Sequence, residues 1–119
     1  MCVLVVDDDE DLRETVCDVL RDAGRVVVSA ANGNEALALL GTMPPPCLAL
    51  IDLMMPVMSG WHLVDNIRRR PELEKIPIVI MSATPYQLPP AVTLLEKPFD
   101  SRTLAKLVAR FACRGGCAR

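Results

Sequence analysis

Apolar residues fall along this chain in two alternating rhythms. Short, predominantly apolar runs at residues 2–6, 26–30, 48–51, 76–81 and 92–96 have the length of buried strands. Between them apolar residues recur every three or four positions, which is the signature of a helix with one face inward. Leu12, Val16, Val19, Leu20 and Ala23 form the first such face, then Ala36, Leu37 and Leu40, then Leu63, Val64 and Ile67, and finally Leu104, Leu107, Val108 and Phe111.

Punctuation sharpens these boundaries. The acidic cluster Asp7-Asp8-Asp9-Glu10-Asp11 opens the first helix and Gly24 stops it. Asn32 with Glu35 three residues on resembles a capping box, and Gly41 ends the helix it opens. A third helix is expected from Ser59 to Arg70, closed by Pro71, and Asp100 caps the last. Strands alternating with helices, the strands apolar on both faces, predict a five-stranded, doubly wound α/β domain with a parallel sheet.

Composition bounds the function. With 119 residues, 51% of them hydrophobic and 24% charged, the chain fits one domain, expected over residues 1–112 with a tail at 113–119. A formal charge of -2 and only four aromatics, Trp61, Tyr86, Phe99 and Phe111, leave no basic face or base-stacking platform, so direct nucleic-acid binding is not expected. No apolar run approaches the roughly 18 to 20 residues of a membrane span. The opening Met1-Cys2-Val3-Leu4 carries no charged leader. A cytoplasmic protein without membrane insertion is the expectation.

Several residues carry little chemistry. Cys2, Cys17 and Cys47 lie in apolar patterns and read as small core residues. Cys113 and Cys117 have the spacing of half a metal site, but no second Cys or His pair accompanies them, so they read as tail. His62 has no ligand-spaced partners, and Arg68-Arg69-Arg70 reads as a solvated helix end.

The remaining polar residues converge. In a doubly wound sheet the site lies just outside the carboxyl ends of the strands. Asp7 and Asp8 end the first strand, Asp52 the third, Ser82 the fourth and Lys97 the fifth. Three carboxylates so close together are tolerable only beside a cation or with a shifted pKa. An oxygen-only ligand set points to Mg²⁺. A carboxylate can act as nucleophile toward phosphorus, with Ser82 and Lys97 offering a hydrogen bond and a charge to the phosphoryl oxygens.

Val3-Leu4-Val5-Val6-Asp7-Asp8-Asp9, Asn32-Gly33-Asn34-Glu35-Ala36-Leu37, the stretch from Asp52 through Met54-Met55-Pro56 to Ser59-Gly60, Met81-Ser82-Ala83 and Glu96-Lys97-Pro98-Phe99 stand in the order seen in one family. Over residues 2 to about 111 the chain resembles the receiver domains of two-component response regulators, of the single-domain chemotaxis-regulator type. The resemblance implies a flavodoxin-like sheet of strand order 2-1-3-4-5. It implies that Asp52 accepts phosphoryl from a sensor histidine kinase or histidine phosphotransfer protein, and that an unidentified protein target lies downstream. It also implies that Asp8, Asp52 and the backbone carbonyl of Met54 hold Mg²⁺ directly, with Asp7 acting through water, that Ser82 and Lys97 contact the phosphoryl group, and that the Lys97-Pro98 bond is cis.

The sequence departs from that pattern. Lys97 follows Ser82 by only 15 residues, shorter than the family interval, and three prolines stand in the gap. The fourth helix should be shortened or absent. The family's switch aromatic is replaced by Leu94, so Ser82, Leu94 and Tyr86 are the candidate switch residues. No effector domain is expected after the receiver. Two other readings remain at this stage: an interaction module of receiver shape that is not phosphorylated, and a small phosphohydrolase, for which the chain has no obvious substrate-enclosing segment.

Overall fold

The chain alternates strand and helix as its apolar pattern predicts: β1 (Cys2–Val6), α1 (Glu10–Asp22), β2 (Val26–Ala30), α2 (Gly33–Leu40), β3 (Leu48–Asp52), α3 (Gly60–Arg68), β4 (Ile78–Ser82), β5 (Thr93–Glu96) and α4 (Ser101–Ala112). This computed structural model describes residues 2–55, 57–83, 88 and 91–112, apart from the Ala112 side chain. Tyr86, Thr84, Cys113 and Cys117 lie outside the described residues.

The five strands form one parallel sheet in the order β2-β1-β3-β4-β5. Every residue of β3 is buried, because helices cover both faces of the central strand. On one face Leu4, Ile51 and Ile80 pack beneath α2 and α3; on the other Val5, Leu50 and Met81 pack beneath α1 and α4. The order reverses at β1, so β1 and β3 lead to helices on opposite faces and their carboxyl ends frame a crevice.

Local chemistry fixes the helix ends. Asp9, extended in backbone, accepts the Leu12 amide at 3.2 Å and caps α1. Gly24, at φ +85°, closes it with paired bonds from Gly24 N to Arg21 O and from Arg25 N to Leu20 O, a geometry that needs the left-handed backbone glycine adopts without strain. Asn32 caps α2 as expected, its side chain accepting from the Glu35 amide at 2.9 Å, while Glu35 Oε1 accepts from the Ala31 amide, one residue before the cap amide that a full capping box would use. Asp100 caps α4 by accepting the Thr103 amide at 2.7 Å.

Helix α3 begins at Gly60, after its Ser59 cap, and β5 at Thr93 rather than Val92, and three further differences have a physical cause. Helix α3 stops at Arg68 rather than Arg70, since Pro71 disfavours helical backbone at the residue before it. Strand β4 begins at Ile78 rather than Ile76: Pro77 has no amide to give the ladder, and the Ile76 amide is used in a turn with Leu73 O. The arginine run is not simply a solvated helix end. Only Arg69 forms an exposed pair, with Asp65 at 2.9 Å. Arg68 instead donates to the carbonyls of Glu74, Ile76 and Ala91 at 2.7, 2.8 and 3.2 Å.

Between β4 and β5 there is no helix among the described residues, in keeping with the shortened sequence. The Lys97-Pro98 bond is cis. Cys17 and Cys47 are buried and Cys2 is half-buried. Cys47 is disulfide-bonded whereas Cys2 and Cys17 are free thiols, a difference that the apolar setting of all three gave no means to read.

Candidate functional site

Strand register decides what meets at the carboxyl rim. Val6 pairs with Ile51 and Asp52 with Met81, so Asp7, Asp52 and Ser82 leave three neighbouring strands at one level. The Lys97 amide donates to Ser82 O at 2.8 Å, which carries the lysine to the same rim from β5. Asp7, Asp52 and Ser82 are the only buried polar or charged residues among those described, at 1%, 5% and 2% exposure. Buried polar groups away from function are uncommon, so three together mark the site.

The carboxylates cluster tightly. One oxygen from each of Asp7, Asp8 and Asp52 lies within 4.8 Å of the others, Asp8 being the exposed member. Lys97 Nζ stands 3.1 Å from Asp52 Oδ1 and 3.5 Å from Asp7 Oδ2. One ammonium against three carboxylates leaves two negative charges uncompensated. Burial, and then the Asp7 charge, push Asp52 up to about 6, while Lys97 pulls it the other way.

A divalent cation fits this set. All three side chains offer hard oxygen ligands, the partial neutralisation by Lys97 leaves room for two positive charges, and the buried Asp7 Oδ2 has no hydrogen-bond partner. The other Asp7 oxygen accepts the Asp9 amide at 2.9 Å, which turns Oδ2 toward the cluster.

The end of β3 at Asp52 is held from below by α3. The Gly60 amide donates to Leu53 O at 2.8 Å, and a Cβ on Gly60 would lie 2.8 Å from both Asp52 O and Leu53 Cα. Glycine is required there because the helix start touches the strand end. Ser59 caps that helix, its hydroxyl lying 3.1 Å from His62 Nδ1; His62 is exposed and serves the cap.

Of the other sequence-named residues, Met54 lies in the loop just after Asp52 with its side chain 66% exposed. Leu94 is half-buried on β5, in register with Ile80. Two residues that sequence reading passed over also touch the site. Asp9 caps α1 and orients Asp7, and Arg13 Nη1 donates to the Asp7 carbonyl at 2.8 Å.

Comparison with known proteins agrees with this geometry. Residues 3–109 match the family described as the response regulator receiver domain. An uncharacterized 14.6 kDa protein from the sodA1 3′ region of Leptolyngbya boryana is 35% identical over 118 residues, covering 93% of this chain and 89% of that one. The sensor histidine kinase TmoS of Ectopseudomonas mendocina is 39% identical over 114 residues, which cover 90% of this chain but 12% of the kinase. The structure of the chemotaxis response regulator CheY4 of Vibrio cholerae superposes with a TM-score of 0.84 at 33% identity, covering 92% of this chain and 97% of CheY4. The chain belongs to the response regulator receiver domain family.

Proposed function

We propose that Asp52 is the phosphoacceptor of a two-component pathway, taking its phosphoryl group from the phosphohistidine of a sensor histidine kinase or histidine phosphotransfer protein. The observation that supports this best is a buried aspartate at the end of the central strand with Lys97 Nζ at 3.1 Å and two further carboxylates beside it. A carboxylate oxygen of Asp52 attacks phosphorus, the phosphorus–nitrogen bond of the donor breaks, and the electron pair leaves with the imidazole. With Asp52 at about 6, the carboxylate is predominantly ionised at neutral pH and ready as a nucleophile.

Asp7, Asp8, Asp52 and the backbone carbonyl of Met54 would hold Mg²⁺, Asp7 through water, and the ion would supply positive charge to the phosphoryl oxygens. Lys97 already bridges Asp52 and Asp7, so its ammonium is placed to pair with a phosphoryl oxygen once Asp52 is esterified. The Ser82 hydroxyl offers a hydrogen bond from the neighbouring strand. Turnover of this adduct is the only chemistry the protein performs on its own account.

The receiver unit in this reading is residues 1–112, and the protein acts in the cytoplasm beside its donor. Among the described residues no helix is long and apolar enough to cross a membrane. The downstream partner is a protein that reads the segment from Ser82 to Pro90, which includes Tyr86, and the neighbouring Leu94, rather than nucleic acid. The test is incubation with a small phosphodonor and Mg²⁺, followed by intact-mass measurement. One acid-stable, base-labile phosphoryl group is expected on the parent and none on Asp52→Asn or without Mg²⁺. Equal labelling of the variant would sink the assignment, and an unlabelled parent would favour an interaction module without phosphorylation.

A further inference from the structure

The Asp7–Asp8 peptide joins the two carboxylates that β1 contributes, and its orientation decides where Asp8 points. Because a peptide unit is planar, fixing the Asp7 carbonyl oxygen also fixes the Asp8 nitrogen and Cα. Three contacts hold Asp7: its amide donates to Ala30 O at 3.2 Å, its Oδ1 accepts the Asp9 amide at 2.9 Å, and its carbonyl accepts Arg13 Nη1 at 2.8 Å. Only the last of these acts on the carbonyl itself. Asp8 is the exposed member of the cluster, and the direction of its side chain depends on the backbone that carries it.

Arg13 is well placed for this duty. It lies one turn into α1, half-buried, with its own amide bonded to Asp9 O at 2.8 Å, so the same helix turn supports both ends of the acidic loop. A guanidinium donating to a carbonyl makes a charge-assisted bond, shorter and stronger than a neutral one. We propose that Arg13 is a positioning residue for the metal site: by holding the Asp7 carbonyl it sets the Asp7–Asp8 peptide so that Asp8 faces the cation held with Asp7 and Asp52. The proposal rests on the Mg²⁺-binding reading of the site.

Charge alone predicts the opposite effect. A fixed guanidinium near a bound cation repels it, so simple removal of the Arg13 charge would tighten Mg²⁺ binding. Positioning predicts weaker binding, by about 10-fold, as is typical when a residue that orients metal ligands is lost. The sign therefore separates the two.

The experiment compares the parent with Arg13→Met, Arg13→Lys and Arg21→Met, the last lying on the same helix and paired only at 3.8 Å with Asp18 in the structure. Calorimetric titration with Mg²⁺ should give an affinity about 10-fold lower for Arg13→Met, most of it recovered in Arg13→Lys, and no change for Arg21→Met. In metal-free buffer, exchange of the Asp9 amide should quicken in Arg13→Met and not in Arg21→Met. Equal or tighter Mg²⁺ binding by Arg13→Met, or equal weakening by Arg21→Met, would overturn the proposal. A parent that binds no Mg²⁺ would overturn the reading of the site, and unchanged Asp9 exchange would separately overturn the positioning.

Discussion

Replacing Asp52 with asparagine should stabilise the metal-free protein above neutral pH, although it removes the proposed acceptor. The carboxyl is raised from 3.8 to about 6 because its ionised form is buried beside Asp7, and Lys97 offsets this only in part. A folded-state value above the unfolded one means the carboxyl's contribution is fully present below the unfolded value and is lost as pH rises through the folded value. Stability is thus lost between about pH 4 and pH 6, and the ionised folded state above that window carries a penalty of about 3 kcal/mol. Asparagine keeps the shape and carries no charge to bury. Allowing for relaxation around the new amide, Asp52→Asn should be more stable than the parent by about 1 to 3 kcal/mol near pH 8 in chelator, with the difference shrinking toward pH 4. Urea unfolding at a series of pH values measures it. Saturating Mg²⁺ should narrow or reverse the gap, because a ligand that binds only the folded state stabilises the protein that binds it better. If the two proteins had equal stability near pH 8 in chelator, the account of Asp52's electrostatics would be refuted.

Gly60→Ala should cost about 1 to 3 kcal/mol, because the new methyl meets backbone at 2.8 Å on Asp52 and Leu53; an unchanged urea midpoint would contradict that close approach. Val57, 84% exposed, has φ 70°, a left-handed backbone that costs a non-glycine residue about 1 to 2 kcal/mol, so Val57→Asn should raise stability by about 1 kcal/mol, read from the same midpoint. Met54 has a thioether that cannot align water as an amide can, so Met54→Asn should quicken loss of the Asp52 phosphoryl group; equal decay rates would count against it. Phosphorylation should chiefly alter hydrogen exchange in the loop following Ser82, and changes confined to α4 would argue for another route of output.

Residues whose role follows from position along a strand were legible before any coordinates. Asp7, Asp52, Ser82 and Lys97 each follow an apolar run, and a parallel sheet brings such ends to one rim whatever the details of packing. That no helix stands between β4 and β5 among the described residues was legible too, since prolines and a short interval act locally. Arg13 and Arg68 were not, because an arginine on the polar side of a helix has the same pattern whether it meets water or a distant carbonyl. Arg68 reaches Ala91, 23 residues away, and only the fold makes them neighbours. Gly60 stood in the sequence only as part of the stretch that follows Asp52; its physical reason, contact between helix start and strand end, depends on how α3 returns beneath β3.

That return makes α3 a strut. At its first residue the helix is bonded to Leu53 O, directly after Asp52, and at its last the Arg68 guanidinium grips Ala91 O, two residues before β5 begins. Strand β5 in turn carries Lys97, whose ammonium reaches back to Asp52. Asp52, helix, clamp, edge strand and lysine thus close a mechanical loop, with covalent chain along each side and a hydrogen bond at each corner. In such a loop a change in the Asp52–Lys97 distance is shared between the flexible lysine side chain, a shift of β5 along its neighbour, and a tilt of α3 that loosens the clamp at Ala91. If Asp52 is esterified as proposed, the Arg68–Ala91 hydrogen bond is one contact through which the change would reach the far end of the sheet.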